Sequence, residues 1–152
     1  VEKLASKGRK LISLPYTVKG MDTSYSGLLT AAVNLLRKNE HKLEDVCYSL
    51  QETAFSMVTE VTERALVHTE KTEVLLTGGV AANKRLQSMI RTIAEEHDAR
   101  FCTVPSQFAI DNGAMIAWTG VLAYKHGIVT PIDRSFVKLR WRLEEVEIPW
   151  MR

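Results

Sequence analysis

Between Glu73 and Pro105 the chain spells a short apolar run, two glycines, a helical stretch and a second short run. EVLLT at 73–77 is rich in strand formers, and Gly78-Gly79 ends it. Residues 82–96 then place Leu86, Met89, Ile90 and Ile93 at helical spacing, and RFCTV at 100–104 is closed by Pro105. A strand, a crossover helix and a second strand predict a parallel pair. Parallel strands sit inside larger sheets with both faces covered, and a two-stranded sheet is marginal in water. Only two such strands are visible, besides peripheral extended pieces. The missing strands are therefore expected from elsewhere, and the chain, which begins at Val1, reads as part of something longer.

The flanking segments are mostly helical. Residues 10–19, KLISLPYTVK, read as extended, with Pro15 against a helix, and Gly20 to Asp22 reads as a turn. LLTAAVNLLR at 28–37 has apolar residues three and four apart, with Asn39 as a C-cap candidate. A long helix is predicted over 43–69, with Val46, Leu50, Met57, Val61 and Leu66 on its apolar stripe. A further helix is predicted over 111–126, ended by Gly127, and the tail 136–148 is predicted extended.

With 45% hydrophobic and 25% charged residues, the chain has too much apolar matter and too little net charge (+2) to be disordered. No run nears the roughly 20 apolar residues of a membrane span, and the polar, basic start lacks a signal-peptide core. Cys47 and Cys102 form no metal or redox spacing, so they read as small core residues of a reducing, cytoplasmic setting. The charge is uneven. Residues 1–42 hold eight Lys/Arg against three acids, and 43–73 hold two against seven. Such blocks serve a charged partner or are simply solvated faces.

Two motifs carry candidate chemistry. In Thr77-Gly78-Gly79-Val80-Ala81-Ala82-Asn83 a strand runs through two glycines into a helix. The glycines leave room for a ligand, the helix start offers N–H groups and a positive dipole end to phosphate, and Asn83 offers an amide to a ribose or phosphate. A tight turn with small residues for packing is the competing reading. The second motif is Asp111-Asn112-Gly113-Ala114-Met115-Ile116-Ala117. Asp111 reads as an N-cap, or as a hard oxygen ligand for a metal or a contact to a nucleotide. Both motifs fall at the carboxyl ends of the two strands, the edge where open α/β sheets bind ligands.

LLTGGVAANKRL and DNGAMIAWTG, with LPYTVKGMDTSYSGLLTA, SLQETAFSMVTEVTERAL and the closing EEVEIPW, closely resemble the universal family that makes threonylcarbamoyladenosine in tRNA, once labelled glycoproteases. The last segment resembles its archaeal and eukaryotic branch, which works in the KEOPS complex. The resemblance implies an α/β fold of the actin-like ATPase (ribonuclease H-like) type, with residues 1–152 as most of a second lobe and the first lobe absent. It implies transfer of threonylcarbamoyl from threonylcarbamoyl-adenylate to the adenosine beside the anticodon. The cofactors implied are a divalent metal, iron or zinc, and ATP or the adenylate. The partners implied are tRNA, the missing lobe and KEOPS subunits including a kinase.

By the same resemblance Asp111 matches a metal ligand, Asn83 a nucleotide contact, Gly78 and Gly79 the adenosine-motif glycines, and Ser26-Gly27 a loop near that cleft. The family's HxxxH metal pair has no counterpart, since His41, His68, His97 and His126 form no pair at that spacing. His68 and His126 read as cations at helix C-termini, and His41 and His97 as surface residues. Two rivals stand beside the transferase. One is a non-catalytic docking module, using the helix 43–69 and the tail with Trp141 and Trp150. The other is a metalloprotease, which no HExxH supports. Lys125, Arg134, Lys138, Arg140 and Arg142, interleaved with Phe136 and Trp141, read as tRNA contacts or as a charged edge strand.

Overall fold

A computed structural model describes residues 1–110, 112–142 and 145–151. The chain divides into two units, Val1–Ala109 and Ile110–Arg152. The first is built on a single helix, α3 (Leu43–Thr69), following α1 (Glu2–Ala5), the strands β1 (Val18–Lys19) and β2 (Asp22–Thr23), and α2 (Ser26–Arg37). After α3 come β3 (Glu73–Leu76), α4 (Lys84–Glu96) and β4 (Arg100–Thr103). A helix of 27 residues is about 40 Å long, so it can serve two separate cores.

Along its first half, Val46 closes a cluster with Ala32 of α2 and Ile12, bordered by Leu14, Leu35, Leu36 and Leu50. Along its second half, Phe55, Val58 and Leu66 meet Leu86, Ile90, Ile93 and Ala94 of α4, with Val74, Leu76 and Phe101 from the strands. Met57 and Ser49 are wholly buried. Burial of a side chain such as Val46, Met57 or Ile90 contributes about 1.5–3 kcal/mol, and the buried Val46, Met57 and Leu66 fix which face of α3 turns inward.

The segment expected to be extended before the first turn is not a strand over most of its length, and the reason lies on α3. Its backbone N–H groups go to helix side chains instead of a neighbouring strand. Arg9 and Lys10 donate to Asp45 Oδ1 at 2.8 and 3.0 Å, and Ile12 donates to Ser49 Oγ at 2.8 Å. Thr17 N–H points at Met57 Sδ, and the Tyr16 hydroxyl donates to Glu60 Oε2. Positions 45, 49, 57, 60 and 64 repeat at helical spacing, so one face of α3 receives the whole segment. Arg64 closes the series by donating to Gly20 O at 2.6 Å, pinning the β1–β2 hairpin, whose turn has Gly20 at φ +59°. Gly8 is where the chain comes closest. A Cβ there would lie 2.5 Å from both Glu44 O and Tyr48 Cβ.

β3 and β4 pair in parallel, Val74 beside Phe101 and Leu76 beside Thr103. One face is covered by α4 and α3, while Leu75 on the other face is 64% exposed. The predicted helices therefore stand, with shifted starts: α2 begins at Ser26, and α4 at Lys84 rather than 82. Asn39 follows α2 at φ +53°, the left-handed position that suits asparagine. Both cysteines are free.

In the second unit, α5 (Gly113–Lys125) starts after Asn112, whose side chain accepts from Met115 N at 2.9 Å. The cap is Asn112, not Asp111 as one reading expected; Asp111 itself lies outside the described residues. Ile128 N–H returns to Ala123 O past Gly127 at φ +75°, which terminates the helix. His126 Nδ1 lies 2.9 Å from Leu122 O, and its ring meets Trp150. The extended tail over 136–148 is not found as a strand among the described residues; short helical turns flank it at Ile132–Arg134 and Pro149–Met151. A strand needs a neighbour to pair with, and among the described residues no strand pairs with this segment. Among the described residues no helix is long and apolar enough to cross a membrane.

Two measurements probe this packing. Gly8→Ala forces backbone apart and should lower unfolding stability by about 1–3 kcal/mol in urea denaturation. The Tyr16 phenol is pushed up to about 12 by burial and by its hydrogen bond to the Glu60 carboxylate. The folded state thus keeps a proton that the unfolded chain releases near 10, so this contribution is full below pH 10 and lost as pH rises to 12. Tyr16→Phe should flatten the fall in urea midpoint between pH 10 and 12; a wild-type slope in the variant would rule out this origin.

Candidate functional site: the turn after β3

β3 ends at Leu76, and the chain then makes a backbone conformation that only glycine adopts freely: Gly78 has φ +96° and ψ 168°. Any other residue is strained there by roughly 1–3 kcal/mol. A short helical turn, Gly79–Ala82, comes next, closed by Ala81 N–H to Gly78 O and Asn83 N–H to Val80 O, both 3.0 Å. The glycine turn expected between strand and helix is present, and it is longer than expected, with a helical turn over Gly79–Ala82 ahead of α4.

Asn83 stands between the turn and α4, 7% exposed. Its Oδ1 accepts from Arg85 N at 2.9 Å and Leu86 N at 3.2 Å, the N-cap geometry. Its Nδ2 donates to Gln51 Oε1 of α3 at 3.2 Å. The open helix end that the sequence offered to phosphate is therefore already capped, because Asn83 lies just before the first turn rather than within it. Beside it, Arg85 clasps Glu52 through three contacts of 2.7–3.1 Å, and this hydrogen-bonded pairing raises the guanidinium's pKa further. Gln87 Nε2 donates to Ala81 O at 2.6 Å. The turn is thus held rigidly from both α3 and α4.

Two hollows flank it. One, about 380 Å³, lies between the turn and α3, lined by Leu50, Gln51, Ala54 and Phe55 with Gly79, Val80 and Asn83. The other, about 390 Å³, lies at the carboxyl end of β4, lined by Lys84, Gln87, Thr103, Pro105 and Ser106 with Ala81. Gly79 and Asn83 line the first hollow, whereas Gly78 lines neither, and Ser26 and Gly27 open α2 and line neither. Sequence reasoning missed Gln51, Glu52 and Lys84. An Asn directly before a helix-spaced Leu86 and Ile90 is a readable N-cap signal; the Gln51 and Glu52 contacts are 32 and 33 residues away and have no local signal.

The lining offers a rigid backbone, a Lys ammonium and hydroxyls, which suit holding a polar or phosphorylated ligand. It presents no paired nucleophile and base. Among the described residues no group of three His, Cys, Asp or Glu converges to hold a metal ion.

Comparison with known proteins follows the same segments. A family model described as tRNA N6-adenosine threonylcarbamoyltransferase matches residues 1–118. Proteins of that name from Thermofilum pendens and Archaeoglobus fulgidus are each 55% identical over 150 residues, covering 99% of this chain and 45% and 46% of theirs. A "Probable bifunctional tRNA threonylcarbamoyladenosine biosynthesis protein" of Methanocaldococcus jannaschii is 53% identical over 152 residues, 28% of its length. The chain thus spans less than half the length of these curated relatives. Among solved structures, HypF of T. kodakarensis is alike in fold, with a TM-score of 0.62 at 23% identity, over 89% of this chain and 18% of that one.

The double use of Asn83 makes a separable prediction. Asn83→Ala removes the cap and should cost about 1–2 kcal/mol of stability. Asn83→Asp keeps the capping oxygen and loses only the donor to Gln51, so its urea midpoint should lie clearly above that of the alanine variant. Equal midpoints would mean that capping is not what Asn83 contributes.

Proposed function

The chain belongs to the tRNA N6-adenosine threonylcarbamoyltransferase family, and from that membership we propose that it is the second-lobe part of an actin-like enzyme that transfers threonylcarbamoyl to the adenosine beside the tRNA anticodon. The observation that carries this reading is 55% identity across 99% of the chain. The parallel pair with Leu75 uncovered supports a lobe completed by further strands.

In this reading the Gly78–Asn83 turn and Lys84 hold the nucleotide portion of the acyl donor. Gly78 lets the backbone turn at the strand's carboxyl end, Gly79 leaves space for phosphate, and Lys84 supplies a positive charge to it. The bound adenylate supplies an activated acyl group with a good leaving group. Asn83 acts chiefly by fixing this turn, since both ends of its amide are engaged; a direct contact to the nucleotide would share Nδ2 with Gln51. The described residues do not make a metal site by themselves. Asp111 would give one ligand to an iron or zinc ion completed outside this chain, and no step is assigned to that ion. By the closing EEVEIPW, the whole protein works with KEOPS partners, the kinase among them, and by its two free cysteines in a reducing cytoplasm.

A chimera tests the reading. The chain replaces the matching 150 residues of the Archaeoglobus fulgidus relative, and digested tRNA is analysed for threonylcarbamoyladenosine by mass spectrometry. The chimera should form product. Gly79→Val in it should weaken adenylate binding at least tenfold by filling the space over the turn, roughly 1.4 kcal/mol. A folded chimera without product, beside an active parent, would overturn the proposal.

A further inference from the structure

The Lys and Arg side chains of residues 1–42 differ from the arginines of the rest of the first unit in what they touch. Arg64, Arg85 and Arg100 each pair with a carboxylate, of Glu60, Glu52 and Glu73. Arg91 lies 5.1 Å over the Phe101 ring. Among the described residues, none of the eight Lys and Arg of 1–42 forms an ion pair.

The fold gathers half of those eight at one place. Lys7, Arg9 and Lys42 line a hollow of about 430 Å³ together with Glu44 and Asp45. Lys10 follows Arg9, and the backbone of both is fastened to Asp45 Oδ1. Asp45 Oδ1 accepts from both backbone N–H groups, which hold its pKa below the usual carboxylate value ahead of the smaller effects of Lys42 and Lys10, and its negative charge stays in the hollow, outnumbered by the cations around it. Glu44 is the one other acid of the hollow. α3 begins here with Lys42 as N-cap and no side-chain cap, so the positive end of a 27-residue helix adds to the field. Arg37 and Lys38 end α2 just before the loop that leads to Lys42.

We propose that this end of α3, framed by Lys7, Arg9, Lys10 and Lys42, is a docking surface for the phosphate backbone of RNA. The choice of RNA among polyanions rests on the family reading above; the surface rests on the charges. Cations without internal partners can neutralise phosphates and release counterions without breaking an existing pair. Arg64, Arg85 and Arg100 would each have to leave a carboxylate. Contacts of this kind position an RNA without reading its sequence.

The test uses the whole 152-residue chain and a fluorescent, unmodified tRNA transcript, with Kd measured by anisotropy at several salt concentrations. Each lost phosphate contact lowers the slope of log K against log salt by about 0.7–0.9. Lys7→Gln/Lys42→Gln should therefore bind about tenfold more weakly at low salt, with a slope lower by about 1.5. The charge-matched pair Lys19→Gln/Lys71→Gln, away from the framed surface, should stay within about twofold of wild type. All four lysines are exposed, so melting temperatures should not move; should the first pair fold less stably, Lys42→Gln alone, about threefold weaker, carries the test. The proposal is overturned if the first pair binds like wild type, if both pairs lose equally, if the chain does not bind tRNA, or if it binds phosphatidylserine vesicles instead. Failure here leaves the transferase reading standing, and a chimera without product leaves this surface standing.

Discussion

Everything in the first unit hangs on α3 satisfying backbone that has no sheet to join. The segment 9–17 carries donors that elsewhere would enter a β-ladder, and a buried N–H without a partner costs about 1–3 kcal/mol. Asp45 and Ser49 take three of those donors, and Ser49 is fully buried while doing so. Its hydroxyl in turn donates to Asp45 O at 2.7 Å, so the group is satisfied within its own helix as well. The apolar clusters supply most of the stabilisation, since each buried side chain outweighs a net hydrogen bond of about 1 kcal/mol. The polar series decides register: sliding the segment by one residue would leave Ile12 N–H without its acceptor.

The same helix sets the candidate site. Gln51 and Glu52 lie two and three residues beyond Ser49, on the side turned to α4, and fasten Asn83 and Arg85. One rigid rod therefore connects the N-terminal segment to the turn after β3. A ligand beside that turn would meet backbone already fixed in place, with no loop left to order, which lowers the entropic cost of binding.

The elements with strong local signals were legible. The 3.6-residue apolar spacing gave α3 its full extent, 43–69, and the glycine pair marked the end of β3. What was hidden depended on distant partners. The stretch 10–17 has the composition of a strand, but its hydrogen bonds go to a helix 35 to 40 residues on, and no periodicity reports that. Asn83 was visible as a polar residue at a helix start. Its capping of Arg85 N and Leu86 N was open to a local reading, whereas its bond to Gln51 follows only from the packing of the inserted turn on α3. In the tail, alternating charged and apolar residues suggested an edge strand, yet alternation cannot supply the neighbour that makes a strand.

Charge distribution shows the same division between local and distant control. Glu52 pairs with Arg85, which α4 brings to it, Glu60 pairs with Arg64 one turn along α3 itself, and Glu63 lies 2.9 Å from His97 Nε2. They lie on the middle and later turns, where α4 and the hairpin approach. Glu44 and Asp45, in the first turn, form no side-chain ion pair among the described residues, and Asp45 accepts from backbone N–H groups instead. The fold thereby neutralises positive charge along most of α3 and leaves it standing at one end. Nothing in folding requires that asymmetry, since one exposed pair contributes at most about 1 kcal/mol. A surface kept positive without a structural return is best accounted for by what it meets in solution, and for a chain of this family the polyanion at hand is RNA.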